Sequence, residues 1–296
     1  MRPFTFPATL LGAPLATFAL MRWGLAPGGA LTTVLLSLIL LLTLVERAAP
    51  YVEEWNRPRN DTRTDLLYVL LLSIPDKLTR VLAEALLTSL AGLVVTAGWS
   101  GDWSGASLVA ASLVAFLVGD LGKYGIHRLS HEHAALWPIH AVHHAPERLY
   151  TLNGLRVHPL NVAWNTACDV VPALLFGLPA EAVALMGAVR GAVSLLQHVN
   201  TPVAPSLLHV VFNSPNAHRW HHSKDLAESN TNYGSALIIW DRLFGTLKPD
   251  TAHPARLGID DNAGMPSSYL GQTLYPVCRE RLLVACFTPR IRELLR

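Results

Sequence analysis

The sequence predicts an all-α, polytopic membrane protein, and three observations predict it. The run "GLAPGGALTTVLLSLILLLTLV", Gly24 to Val45, holds 22 residues without a charge. A second run, Trp103 to Gly119, holds 17 more. Across 296 residues, hydrophobic types make up 51% and charged types 15%, with a mean hydropathy of +0.33. That is too apolar for an ordinary soluble globule.

Taken in order, "MRPFTFPATLLGAPLATFALM" sets one arginine ahead of apolar residues, the layout of a signal peptide. Its two early prolines and the longer run beyond favour a membrane-embedded segment instead. Gly24 to Val45 is long enough to cross a bilayer core of about 30 Å at about 1.5 Å per residue. Residues 46 to 65 are polar, with charges of both signs. Residues 66 to 99 read as one or two membrane helices with a break near Pro75, because "LLYVLLLSIP" is too short to span alone. Trp103 to Gly119 is bracketed by Asp102 and Asp120. From Val162 to Leu196, apolar pieces broken by Asp169, Pro172, Pro179, Glu181 and Arg190 suggest a re-entrant hairpin or two tilted helices.

No linker or repeat divides the chain, so residues 1–296 form a single membrane-embedded domain. Within it, 1–119 is mainly transmembrane helix, 120–246 is a core, and 247–296 is a non-membrane segment. Cys168, Cys278 and Cys286 are too few and scattered for a disulfide framework or a thiolate metal site. A net charge of +2 without a polybasic patch makes nucleic acid an unsuitable partner.

Histidine is the unusual feature. Twelve of 13 histidines fall between His127 and His222. "HRLSH" carries His127 and His131, "HAVHH" carries His140, His143 and His144, and "HRWHH" carries His218, His221 and His222. One H-x-x-H-H arises by chance in roughly a few of a hundred chains of this composition. Two copies beside an H-x-x-x-H need a cause.

Residues three and four apart share a helix face, so each cluster presents its imidazoles together. Pro138 suits a helix start before the second cluster and Pro146 stops it; Ser214 with Pro215 does the same ahead of His218. "HRLSH" begins eight residues past Gly119, about 12 Å further along a helix. The second cluster precedes the Val162–Leu196 region and the third follows it. A hairpin there brings all three to one face of the membrane, as a histidine-lined di-metal site. Neutral imidazoles suit iron, copper, zinc or nickel, and eight of them suit two ions rather than one.

Only Glu132, Glu147, Asp169 and Glu181 are acidic between His127 and His222, which argues against a carboxylate-rich di-iron bundle. There is no H-E-x-x-H of a zincin protease. Asp120, seven residues before His127, shares its helix face and is a candidate to orient a histidine from behind. Asp241 and Arg242 are expected to pair. The rival class is a histidine-rich metal transporter, which would place its ligands at broken helices near mid-bilayer.

H-x-x-x-H, H-x-x-H-H and H-x-x-H-H amid membrane spans resemble the integral-membrane histidine-rich di-iron oxygenases, a skeleton shared by acyl desaturases. "DLGKYGIHRLSH", "LWPIHAVHH", "RVHPLN", "QHVN", "SPNAHRWHHS" and "TNYGSALIIWDRLFGT" are similar to the fatty acid hydroxylase/sterol desaturase superfamily, over roughly Asp120 to Thr246. "NYG…WDRLFGT" speaks against an acyl desaturase proper.

The resemblance implies two irons held by the three clusters, with His198 of "QHVN" as a ninth ligand. His158 of "RVHPLN" also matches, as a metal ligand or a support behind one, although members often carry Glu where Asn161 stands. No catalytic residue beyond the metal ligands is implied. His133, His209 and His253 match no motif. The implied reaction activates O2 with two external electrons and attacks an unactivated C–H bond. The product is a hydroxylated or desaturated sterol, fatty acyl lipid, ether lipid or carotenoid.

The sequence has no G-x-G-x-x-G and no haem-attachment motif. The electrons are therefore expected from a separate reductase, ferredoxin or b-type cytochrome. Lys123, Arg128, Arg148 and Arg156 near the first two clusters, and an arginine-rich C-terminus, suit a cytoplasmic active face. Four lysines against 19 arginines hint at a bacterial source, hence the inner membrane, with the endoplasmic reticulum as the eukaryotic counterpart.

Overall fold

A computed structural model describes residues 4–94, 103–248, 253–259 and 264–278. Among these residues there is helix and no strand beyond two isolated bridges. Cys286, the arginine-rich end and residues 95–102 lie outside the described residues.

The first helix, α1 (Thr5–Arg22), turns into α2 (Pro27–Ala48), the charge-free run of the sequence. Both pack on α8 (Ala180–His198), burying Phe6, Leu10 and Leu42 against Val193, Leu195 and Leu196. Small residues on α8 permit the close approach. A Cβ on Gly187 or Gly191 would meet the Cδ2 atoms of Leu31 and Leu35 at 2.9 and 2.5 Å. This four-residue spacing of glycines is how membrane helices pack without a hydrophobic driving force.

The expected break near Pro75 falls three residues earlier. α3 (Thr62–Leu71) ends at Leu72 and α4 (Ser73–Val94) carries Pro75 in its first turn, where a missing N–H costs no helical bond. α5 (Gly105–Glu132) runs 28 residues, taking "HRLSH" well past the apolar stretch. It packs on α7 (Pro159–Leu175), which α4 also covers. Residues 176–179 link α7 to α8, with Gly177 at φ +60°. The Val162–Leu196 region is thus two helices with a short turn.

α2, α5 and α8 are each long and apolar enough to cross a membrane. Their outward leucines and valines agree: Leu36, Leu40 and Leu44 on α2 and Val109, Leu113 and Val118 on α5 are all at least half exposed. The protein is a membrane protein. Beyond the helix ends lie the short α6 (Trp137–His144), α9 (Pro215–His221), α10 (Leu226–Ser229), α11 (Ile239–Phe244) and α12 (Tyr269–Cys278).

Buried ion pairs fasten α3 to the segment after α6. Arg148 donates two bonds of 2.7 Å to Asp61 and a third to the Trp55 carbonyl. The Arg156 guanidinium and the Tyr150 hydroxyl both donate to Asp65, which is fully buried.

Candidate metal centre

Four helix ends and one cap deliver nine histidines to one place. His127 and His131 stand on the last turns of α5, His140, His143 and His144 on α6, and His198 closes α8. His218 and His221 lie on α9 and His222 is its C-cap residue. The local start signals work as expected: Pro138 sits in the first turn of α6, and Ser214 Oγ accepts the Ala217 N–H at 3.0 Å above Pro215.

The nine fall into two groups. His127, His131, His140, His144 and His221 form one; His143, His198, His218 and His222 form the other. Within each group the candidate ligand atoms all lie within 4.8 Å of one another. Each H-x-x-H-H divides in the same way. Its outer pair, His140 with His144 or His218 with His222, enters one group, and the middle histidine enters the other. Helix geometry explains this: positions four apart differ by about 40° around the axis, whereas adjacent positions differ by about 100°.

Ring orientation is fixed from behind. His127 Nδ1 donates to the Tyr233 carbonyl at 2.7 Å and His221 Nδ1 to the Thr231 carbonyl at 2.8 Å. His143 Nδ1 donates to the Arg156 carbonyl at 3.1 Å. Asn161, Asn153 and Asn230 accept from His140, His198 and His131 at 2.8, 3.2 and 3.2 Å. A proton on Nδ1 leaves Nε2 with only a lone pair. His127 and His221 then face each other with bare Nε2 atoms 2.8 Å apart, a repulsive contact unless a cation is shared between them. The other close Nε2 pairs are 3.0 to 3.1 Å apart. Two ligands at right angles, each about 2.1 Å from an ion, stand about 3 Å apart. His131 Nε2 is buried without a hydrogen-bond partner. This donor set fits a pair of divalent metal ions.

Burial pushes the His143 imidazole down to about 4. It also holds His140, His144, His218, His221 and His222 well below the usual histidine range, with imidazole neighbours adding repulsion. At neutral pH these six offer lone pairs rather than charge.

Several expectations need correcting. Asp120 touches no histidine. Its carboxylate accepts the Ala236 and Leu237 N–H groups at 2.9 and 3.1 Å and the Trp240 indole N–H at 2.9 Å. It therefore fixes the segment that follows Tyr233, whose carbonyl holds His127. His158 is outside both groups because both ring nitrogens are occupied: Nδ1 caps α7 by accepting the Leu160 N–H, and Nε2 donates to the Thr273 carbonyl. Asp241 does not pair with Arg242, since adjacent helix residues diverge. It accepts the Tyr233 and Gly234 N–H groups and the Thr246 hydroxyl, while Arg242 donates to the Val210 carbonyl. His133, His209 and His253 belong to neither group.

Asn153 and Asn230 carry no signal in the sequence, since they lie 45 and 99 residues from the histidines they hold. No local spacing signals such pairs. Gly154 carries none either, although a Cβ there would sit 2.9 Å from His198 Cγ. Gly154→Ala is expected to push His198 aside and weaken metal binding by the four-histidine group about 10- to 100-fold, the range for lost support of a ligand. Metal retained against increasing chelator would measure it, and unchanged retention would count against the close approach.

A cavity of about 100 Å³ opens beside the histidines, between α5, α7 and α8. His127 and His140 of one group and His143, His198 and His218 of the other reach its wall.

The fatty acid hydroxylase family model matches residues 112–246, a span that contains all nine histidines. The ornithine lipid hydroxylase OlsE of Rhizobium tropici is 34% identical over 257 residues, covering 83% of this chain and 75% of that protein. The chain belongs to the fatty acid hydroxylase family. Within it, the alkylglycerol monooxygenase of Danio rerio is 33% identical over 142 residues, 47% of this chain and 30% of that one. The Homo sapiens alkylglycerol monooxygenase is 31% identical over 156 residues, covering 51% and 32%. The chain spans about a third of the length of these two monooxygenases. No solved structure gives a significant match.

This member of the hydroxylase family is an oxidoreductase. Its histidines stand at helix ends, not at broken helices in mid-span, which sets aside the metal-transporter reading. The relatives, hydroxylases and monooxygenases, set aside the acyl desaturase proper.

Proposed function

We propose that the chain is a di-iron lipid hydroxylase, with His127, His131, His140, His144 and His221 on one iron and His143, His198, His218 and His222 on the other. The observation that carries this reading is the 2.8 Å approach of the His127 and His221 Nε2 atoms, both with Nδ1 already committed as a donor. Family membership supports iron, O2 and a lipid C–H bond as the reactants.

When bound, the irons supply the reduction of O2, with two external electrons, and the oxidising power to attack the C–H bond. The chain supplies the rest. Six Nδ1–H groups clamped to carbonyl oxygens keep the imidazoles aimed before any metal arrives, so little reorganisation is needed on loading. Burial keeps the histidines neutral and the surroundings dry, with His144, His221 and His222 at most 1% exposed. The cavity between α5, α7 and α8 offers the reacting part of a lipid a place beside the histidines.

The electrons come from a separate reductase, ferredoxin or b-type cytochrome. Lys123, Arg128, Arg148 and Arg156 on the histidine face support a cytoplasmic orientation in a bacterial inner membrane. The test is metal analysis of detergent-solubilised protein purified without O2, followed by product analysis with O2 and reductant. About two irons per chain and a lipid product gaining one oxygen are expected. Zinc in place of iron, or no oxygenated lipid from iron-loaded protein, would overturn the reading.

A further inference from the structure

Oxidisable rings flank the two histidine groups unequally. Trp137 opens α6 with its ring centroid 5.1 Å from that of His131 and 5.6 Å from that of His144. Tyr233 stands 5.2 Å from His131 and 5.7 Å from both His127 and His221. All of these histidines belong to the five-membered group. Among the described residues, the ring contacts of His143, His198, His218 and His222 are with other histidines alone.

The two rings lead to different places. Tyr233 is 1% exposed, and its outer neighbour Tyr124, 6.2 Å away, is 3% exposed. Trp137 is partly exposed, and the exposed Glu132 and His133 shortly before it mark its side as aqueous. It therefore meets two histidine rings of one group and water as well. Trp137 lies outside the wall of the cavity beside the histidines, so contact with a substrate there does not account for it. Trp164 is in that wall.

An indole gives up an electron far more readily than an aliphatic C–H bond or an imidazole. Resting on the di-iron reading, the geometry points to Trp137 as an electron relay between the five-histidine iron and water. It discharges the centre when this has been oxidised with no lipid in place, and so spares the ligands. In net terms, one hydrogen peroxide, one ferrous ion, one indole N–H and one proton become two waters, one ferric ion and one indolyl radical. The O–O bond breaks, and iron and Trp137 each lose one electron. The indole proton and one from solution complete the waters. O2 with the two external electrons and two protons supplies the same oxidant. A one-electron donor in water, such as ascorbate, then restores the ring with one electron and one proton.

The test mixes hydrogen peroxide with the reduced, iron-loaded full chain in the absence of lipid and freezes it rapidly for electron paramagnetic resonance. A tryptophanyl radical is expected, with a spectrum that narrows when the indole rings are deuterated and a signal that ascorbate removes. Trp137→Phe, which keeps a ring in that packing, should lose the signal at unchanged iron content. Mapping needs no variant: a nitroso spin trap added to the unmodified chain should mark residue 137. In Trp137→Phe, peptide mass spectrometry should find more oxygen added to His131 or His144 than in the unmodified chain.

No radical from iron-loaded protein would overturn the relay and leave the hydroxylase reading standing. So would a signal that survives Trp137→Phe, a trap adduct on Trp164, or a tyrosyl signal that Tyr233→Phe removes. A radical at residue 137 in a chain that oxygenates no lipid would leave the relay standing and overturn the hydroxylase reading instead. A chain that binds no iron would overturn both.

Discussion

Replacing His140 with alanine is expected to empty one iron position, and replacing His143, three residues away, to empty the other. Each variant should retain about one iron and lose more than about a hundredfold in hydroxylation, since even the supports behind metal ligands account for 10- to 100-fold. Pairs of substitutions make the test sharp. His140→Ala with His144→Ala removes two members of one group and should leave one iron in place. His140→Ala with His143→Ala removes one member from each and should leave almost none. If each iron belonged instead to one sequence motif, both double variants would behave alike, and the five-and-four division would be wrong.

Asp65→Ala is expected to be among the most destabilising single substitutions outside the histidines. Asp65 is fully buried and accepts from both the Arg156 guanidinium and the Tyr150 hydroxyl. Its removal strands a guanidinium that is 5% exposed. Breaking a buried pair in this way costs about 3–5 kcal/mol, which for a chain of this size lowers the melting temperature by roughly 5–8 °C. Because the Arg156 carbonyl holds His143, iron in the four-histidine group should become easier to chelate as well. A melting temperature within about 2 °C of the unmodified protein would show that water replaces the carboxylate without penalty.

Much of this was legible in the sequence. The charge-free runs exposed the membrane helices because a bilayer sets a minimum apolar length. Three-and-four spacing exposed the histidines because it places side chains on one helix face. The match of "QHVN" to a known family drew attention to His198, which has no cluster of its own. The division of each H-x-x-H-H between two groups was not legible, because it depends on where neighbouring helices stand. Asp120 was misread for a related reason. Two helical turns do align it with His127, but the groups that claim its carboxylate, at Ala236, Leu237 and Trp240, come from more than a hundred residues away. His158 looked like a donor by motif, yet as the residue capping α7 it had no free nitrogen to give.

Three of the six oxygens that aim the imidazoles, those of Tyr233, Thr231 and Arg156, belong to the main chain. No exchange of side chain at those three positions deletes the oxygen itself. A mutational survey that scores tolerance residue by residue will therefore undercount half of the scaffold behind the metals. Only a change in the path of the peptide, such as an inserted or deleted residue between Asn230 and Tyr233, would reveal it.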